Sequence, residues 1–296
     1  SEPPHETRPR FFIRKSQWIL MSIILAVAAG GLYYRFLLTN HLEQSAALFV
    51  GLPTLLAILV TLSPKKNSLG STIFKTITIA LLMSFVFSWE GYICILMSAP
   101  LFYLIGYLII LAFSIKAKNK NTMRCSAVIL LCLMSLEGIS PHFSLPTAET
   151  VTVTKVINVS ETVVEERIQT APNVSHPLPM HLNIGFPVPT GAEITGDNNE
   201  LIIVHFSESE GKPPGDLTWE KQPLENNRQQ FKALSDTSHL DHWMSWKAAD
   251  VSWKPISANQ TEVTWTVRYE RKLHPAWYFA PLERGFVSEA TAYLIN

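Results

Sequence analysis

Two patterns of apolar and polar residues follow one another along the chain, and they change over near position 140. Before it, apolar residues come in long uncharged runs: Ser16 to Tyr34, Ala46 to Ser63, Thr76 to Trp89, Gly91 to Ile115 and Cys125 to Leu136. A hydrocarbon core about 30 Å thick takes about 17–25 helical residues to cross. A helix packed on a soluble core carries an apolar stripe and a polar back, whereas these runs are apolar all round. They predict five membrane-spanning helices, near residues 16–38, 46–63, 72–89, 91–115 and 123–139, with Lys75 snorkelling at the start of the third. The fifth is the shortest, and it spans only if Glu137 is tolerated. Because four apolar runs follow the first, the first reads as a span rather than a cleaved leader. Residues 1–15, polar and Pro-rich over Ser1 to Arg10, read as a disordered N-terminal segment.

Past Pro141 and Pro146, which mark 141–150 as a linker, the apolar positions alternate. Val151 to Val156 alternates as a half-buried strand does. Asn158 to Gln169 reads as a helix, with Ser160 as its cap and Val163, Val164 and Ile168 as its stripe. Thr170 to Gly196, rich in Pro and Gly, reads as loop and short turns. Leu201 to Phe206, Asp216 to Lys221, Arg228 to Ser235 and Trp246 to Trp253 read as strands. Glu262 to Arg271 alternates most cleanly, with Val263, Trp265, Val267 and Tyr269 on one face and Thr264, Thr266, Arg268 and Glu270 on the other. That pattern favours an antiparallel sheet covered on one side. Pro275 to Leu294 returns to helical spacing, with Tyr278, Leu282, Phe286, Ala290 and Tyr293 as the stripe and Pro281 in or near the first turn. The terminal helix is the available cover for the sheet. The fold class is thus an α-helical membrane domain (16–140) followed by an α+β domain (151–296).

Charge sharpens this division. The chain has 296 residues and no formal net charge, with 16% charged residues against roughly 25% in soluble domains. Residues 1–140 carry 12 Lys/Arg against 5 Asp/Glu, and residues 141–296 carry 12 against 19. The overall neutrality argues against a generally basic nucleic-acid binder. Arg8, Arg10, Arg14 and Lys15 precede the first run; Lys65, Lys66 and Lys75 separate the second and third; Lys116, Lys118, Lys120 and Arg124 separate the fourth and fifth. The intervening loops, 39–45 and 88–91, have none. By the positive-inside bias, the N-terminus is cytoplasmic and the α+β domain extracytoplasmic.

Candidate chemistry is sparse. Glu90 and Glu137 lie next to apolar runs, each followed by Gly. Ionisable groups at membrane depth are candidates for a proton, cation or headgroup site, and an interfacial Glu-Gly turn is the plainer reading. Cys94, Cys125 and Cys132 all fall in apolar runs and read as small buried hydrophobes. His239, Asp241 and His242 have no standard metal-ligand spacing, so no metal and no cofactor is expected. No nucleophile elbow or phosphate loop occurs. His242, Asp236 and Glu289 remain acid/base candidates for an enzyme.

The run Thr264 to Leu273, followed by Pro275 to Phe279 and ending Ala292 to Ile295, resembles the C-terminal part of bacterial membrane-anchored SRPBCC-superfamily proteins, often described as polyketide cyclase/dehydrase-like or START-like. Asp236 to Ser238 with His242, Trp243 and Trp246 fits the same pattern, as do Leu182 with Gly185 to Pro187, and Glu90 to Met97 with Pro100. The resemblance implies a helix-grip fold, a curved antiparallel sheet around a long C-terminal helix, with a hydrophobic ligand held between them. It also implies a place in the bacterial cytoplasmic membrane, with membrane lipids as neighbours. It carries over no catalytic residue. Trp219, Trp246, Trp253, Trp265, Tyr269, Tyr278, Leu282 and Phe286 are the candidates to line such a cavity. The same aromatics can instead fill a core or meet lipid headgroups. The expected function is binding of a hydrophobic small molecule or lipid beside the membrane. The alternatives are a cyclase- or hydrolase-like enzyme using the same cavity, and a structural or sensory module with no ligand.

Overall fold

The computed structural model describes residues 69–87, 92–114, 126, 129–174, 178–179, 182, 186–198, 200–208 and 213–295. The predicted spans near 16–38 and 46–63, the N-terminal segment 1–15 and Glu90 lie outside the described residues.

Helices α1 (Leu69–Phe87) and α2 (Tyr92–Ser114) pack antiparallel. Ile73, Ile77 and Leu81 of α1 are buried against Leu101, Ile105 and Ile109 of α2, at the three- and four-residue spacings that put side chains on one helical face. Gly106 permits the contact: a Cβ there would lie 2.5 Å from Ile77 Cδ1. Phe74, Leu96, Leu104, Tyr107, Leu108 and Leu111 are exposed on the outward faces. Among the described residues one helix is long and apolar enough to cross a bilayer, Ile95–Phe113, with mean hydropathy 2.2 over 19 residues. Helix α1 carries an apolar stretch over Gly70–Leu81. The expected fifth span ends early. Residues 129–134 are helical, and 135–139 form turns around Gly138, whose φ is +82°. Cys132 is exposed there rather than buried.

The C-terminal part is a seven-stranded, wholly antiparallel sheet in the order β1-β7-β6-β5-β4-β3-β2. The strands are β1 (Ala148–Ile157), β2 (Pro189–Thr195), β3 (Leu201–Phe206), β4 (Gly215–Lys221), β5 (Arg228–Asp236), β6 (Met244–Ser257) and β7 (Gln260–Arg271). Helix α3 (Glu161–Gln169) follows β1, and α4 (Ala276–Ile295) closes the chain across β1 and β7. One curved antiparallel sheet gripping a C-terminal helix is the helix-grip architecture.

Side-chain alternation explains the two faces. Val263, Val267 and Tyr269 are buried on the inner face of β7. On the outer face, Thr264 and Thr266 bond Thr154 and Thr152 of β1 at 2.9 and 3.0 Å, and Asp250 takes Arg228 and Arg268. A register shift between Trp246 and Ala248 inserts Lys247 into β6. That bulge lets Trp246 share the inner face with Ala249, Val251 and Trp253 in spite of its opposite parity.

Three local expectations change. Strand β2 lies inside the stretch read as loop, since Pro189 and Gly191 mask an edge strand that tolerates both. Helix α3 begins at Glu161, and the Ser160 hydroxyl bonds Thr162 instead of capping a backbone N–H. Pro281 sits inside α4, where it removes one turn's hydrogen bond rather than marking the start.

Candidate functional site

A cavity of about 880 Å³ lies between the inner sheet face, α3 and the C-terminal half of α4. Its walls come from strands whose inward residues are apolar: Ile202 and Phe206, Leu217 and Trp219, Phe231, Met244 and Trp246, Val263 and Trp265. Helix α4 contributes Phe286, Val287 and Ala290, and α3 contributes Val163, Val164 and Ile168. Val156, Val163, Arg167, Asn173 and Leu294 are lining residues that are also exposed, so the mouth opens beside α3 and the end of α4. Arg167 is the one charged residue on the described lining. The volume falls within the range of about 300–1,000 Å³ typical of small-molecule sites.

The structure divides the sequence-derived candidates. Trp219, Trp246, Trp265 and Phe286 stand on the cavity wall, while Trp253, Tyr269, Tyr278 and Leu282 do not. Trp253 is buried in the apolar cluster behind it. Tyr269 sits nearer the start of α4, its ring 6.0 Å from that of Trp246. Tyr278 and Leu282 turn to the helical pair instead: the Tyr278 hydroxyl donates to the Met97 carbonyl at 2.6 Å, and Leu282 packs with the α1–α2 cluster. Burial raises the Tyr278 pKa.

His242 and Asp236 also lie off the cavity. His239–His242 form a 3-10 turn, with the two imidazoles stacked 5.6 Å apart and Asp241 paired with Lys272 at 2.7 Å. Asp236 Oδ1 accepts from the Ser238 backbone N–H and hydroxyl at 2.8 and 2.6 Å, which organises the turn before it. Desolvation raises its pKa against those bonds. Glu289 is exposed on α4 and does not line the cavity. No cluster of three metal-binding side chains occurs among the described residues.

Glu137 has a structural partner. Its Oε1 accepts the backbone N–H of Ala276, the first residue of α4, at 2.8 Å, and lies 3.2 Å from His274 Nδ1. The unbonded N–H groups and positive dipole end of a helix favour a carboxylate there. His274 Nδ1 is also 3.3 Å from Arg271 Nη1, so it donates to Glu137 when protonated and accepts from Arg271 when not. Burial lowers the His274 pKa, with the Glu137 bond opposing and Arg271 adding to the shift. At the other end of α4, Lys155 Nζ donates to the Ala292 carbonyl at 2.7 Å, as a cation near a helix C-terminus should.

Beneath α4 lies a buried polar group that sequence reading missed. Glu283 is 2% exposed and neither carboxyl oxygen has a hydrogen-bond partner among the described residues. Burial pushes its pKa up to about 9, with Arg271 opposing and Glu149 reinforcing the shift. Glu283 is therefore neutral at pH 7. Burial and the nearby Glu283 and Glu149 also raise the Tyr269 pKa. Glu283 follows Leu282 in the helical stripe, and only the tertiary position of α4 against β7 shows that it faces inward.

No family model matches this chain, and no curated protein matches it. Solved structures do. A START superfamily protein from Mycobacterium smegmatis aligns at 12% identity over 49% of this chain and 91% of its own, with a TM-score of 0.36. The Zhui aromatase/cyclase from a Streptomyces species aligns at 14% identity over 50% and 89%, with a TM-score of 0.35. A major latex-like protein from Panax ginseng aligns at 14% identity over 51% and 99%, with a TM-score of 0.31. At these scores the fold assignment rests on the strand order and the placement of α4.

Proposed function

We propose that this protein is a membrane-anchored binding module for a hydrophobic small molecule or lipid. The observation that carries the reading is the apolar cavity of about 880 Å³ between the sheet, α3 and α4. Moving an apolar molecule from water into such a space is favourable by roughly 25 cal/mol per Å² of surface buried. Trp219, Trp246 and Trp265 supply broad apolar ring surface to the wall.

Binding is favoured over the enzyme alternative because the acid/base candidates His242, Asp236 and Glu289 all lie off the cavity lining. It is favoured over a solid scaffold because Trp219, Trp246 and Trp265 border open space. The anchor is α2, with α1 and the outward apolar faces beside it, and the topology is a cytoplasmic N-terminus with the binding domain on the outer side of a bacterial cytoplasmic membrane. The Tyr278–Met97 bond and the Glu137 cap tie α4 to that anchor, which keeps the domain next to its lipid source. Native mass spectrometry of the full chain released from detergent tests the reading. A bound apolar molecule supports it, and a bare chain that also retains no added lipid counts against it.

A further inference from the structure

We infer that the ligand is an anionic amphiphile, an apolar body with a carboxylate or phosphate head, and that Arg167 at the cavity mouth holds the head. This rests on the cavity reading above and specifies its ligand class.

Helix α3 carries three carboxylates and one cation. Its sequence places Val163 and Val164 four and three residues before Arg167, on the same helical face. All three, with Ile168, line the cavity. Glu165 and Glu166 are exposed and off the lining, and Glu161 is tied to the Asn227 side chain. The helix thus keeps its acids off the lining and leaves its one cation at the opening. The remaining described lining is uncharged.

The setting makes this arrangement specific. Residues 141–296 carry 12 Lys/Arg against 19 Asp/Glu, so a cation at this apolar cavity is not part of a generally basic surface. The Arg167 side chain is exposed and forms no ion pair among the described residues. Its guanidinium can therefore meet a carboxylate or phosphate with two parallel N–H donors. Asn158, Thr170 and Asn173 stand on the same rim, and the Thr170 hydroxyl donates to the Arg167 carbonyl at 2.8 Å. A bound chain would lie with its tail against Trp219, Trp246 and Trp265 and its head in water, so no charge has to be buried.

The test uses the full chain in detergent and two probes, 9,10-dibromostearate and its methyl ester, read by saturable quenching of tryptophan fluorescence. The wild type should bind the acid at least about tenfold more tightly than the ester, the advantage of one charge-assisted contact. Arg167→Gln should remove that advantage, so that acid and ester bind alike, while Arg167→Lys should keep part of it. Lysophosphatidate as competitor, against oleate, separates a phosphate from a carboxylate head. Equal affinity for acid and ester in the wild type, or an unaltered preference in Arg167→Gln, overturns the inference and leaves the cavity reading standing. Absence of saturable quenching by either probe overturns the cavity reading and the inference together.

Discussion

Glu137 Oε1 accepts the backbone N–H of Ala276 at 2.8 Å, which makes a residue at the end of the apolar half the cap of the last helix in the chain. The two are 139 positions apart in sequence. The bond couples the position of α4, one wall of the cavity, to the helical pair. Removing the carboxylate by Glu137→Ala should lower stability by about 1 kcal/mol, as for other helix caps. Glu137→Gln keeps an acceptor and should lose only the charge–dipole part, about 0.3–1 kcal/mol. Thermal unfolding of both variants in detergent checks the order, wild type above Gln above Ala.

Glu283 predicts a pH dependence. Its pKa is about 9 in the folded protein and near 4.5 when unperturbed. The folded chain keeps a proton that the unfolded chain releases. The stability linked to this group is fully present below about pH 4.5 and is lost progressively as pH rises to about 9. Glu283→Gln should flatten that decline and melt above the wild type at pH 8. Melting curves from pH 5 to 9 measure it.

Gly106 and Ile77 set the spacing of α1 and α2. Gly106→Leu should cost about 1–3 kcal/mol by overpacking. Ile77→Ala in the same chain should recover part of the loss, because the two sites share one contact. The double-mutant comparison in detergent reads the coupling, and strict additivity would deny the contact.

Topology has its own readout. A C-terminal phosphatase fusion should be active in a bacterial host if, as proposed, the α+β domain lies outside the cytoplasm. An inactive phosphatase with a fluorescent cytoplasm-dependent fusion would reverse the orientation.

How far the sequence revealed the site depends on the range of each signal. The alternation of Val263, Trp265 and Val267 set the inner face because a strand's period is two residues and is local. Trp246 was found only as an aromatic, since its inward position depends on the bulge at Lys247. The terminal stripe misled for a geometric reason. Each four-residue step along a helix of 3.6 residues per turn leads by about 40°. Tyr278 and Leu282 therefore face α1 and α2, and Phe286 and Ala290 face the cavity. The apolar residues of 171–189 were hidden in a Pro-rich stretch, yet Pro172, Val174, Leu178, Leu182, Phe186 and Pro187 all line the cavity. Their place on the lining is tertiary, which no local period encodes. Glu283 was invisible for the same reason.

The proposed function requires that the space under α4 hold an apolar ligand. Ala290 lines it from the helix. Native mass spectrometry can compare ligand retention by the wild-type chain and Ala290→Trp, both purified in detergent and shown to melt alike. A ligand mass is expected on the wild type and is expected to be lost from Ala290→Trp. An equal ligand load on both proteins, or none on the wild type with or without added lipid, would contradict it.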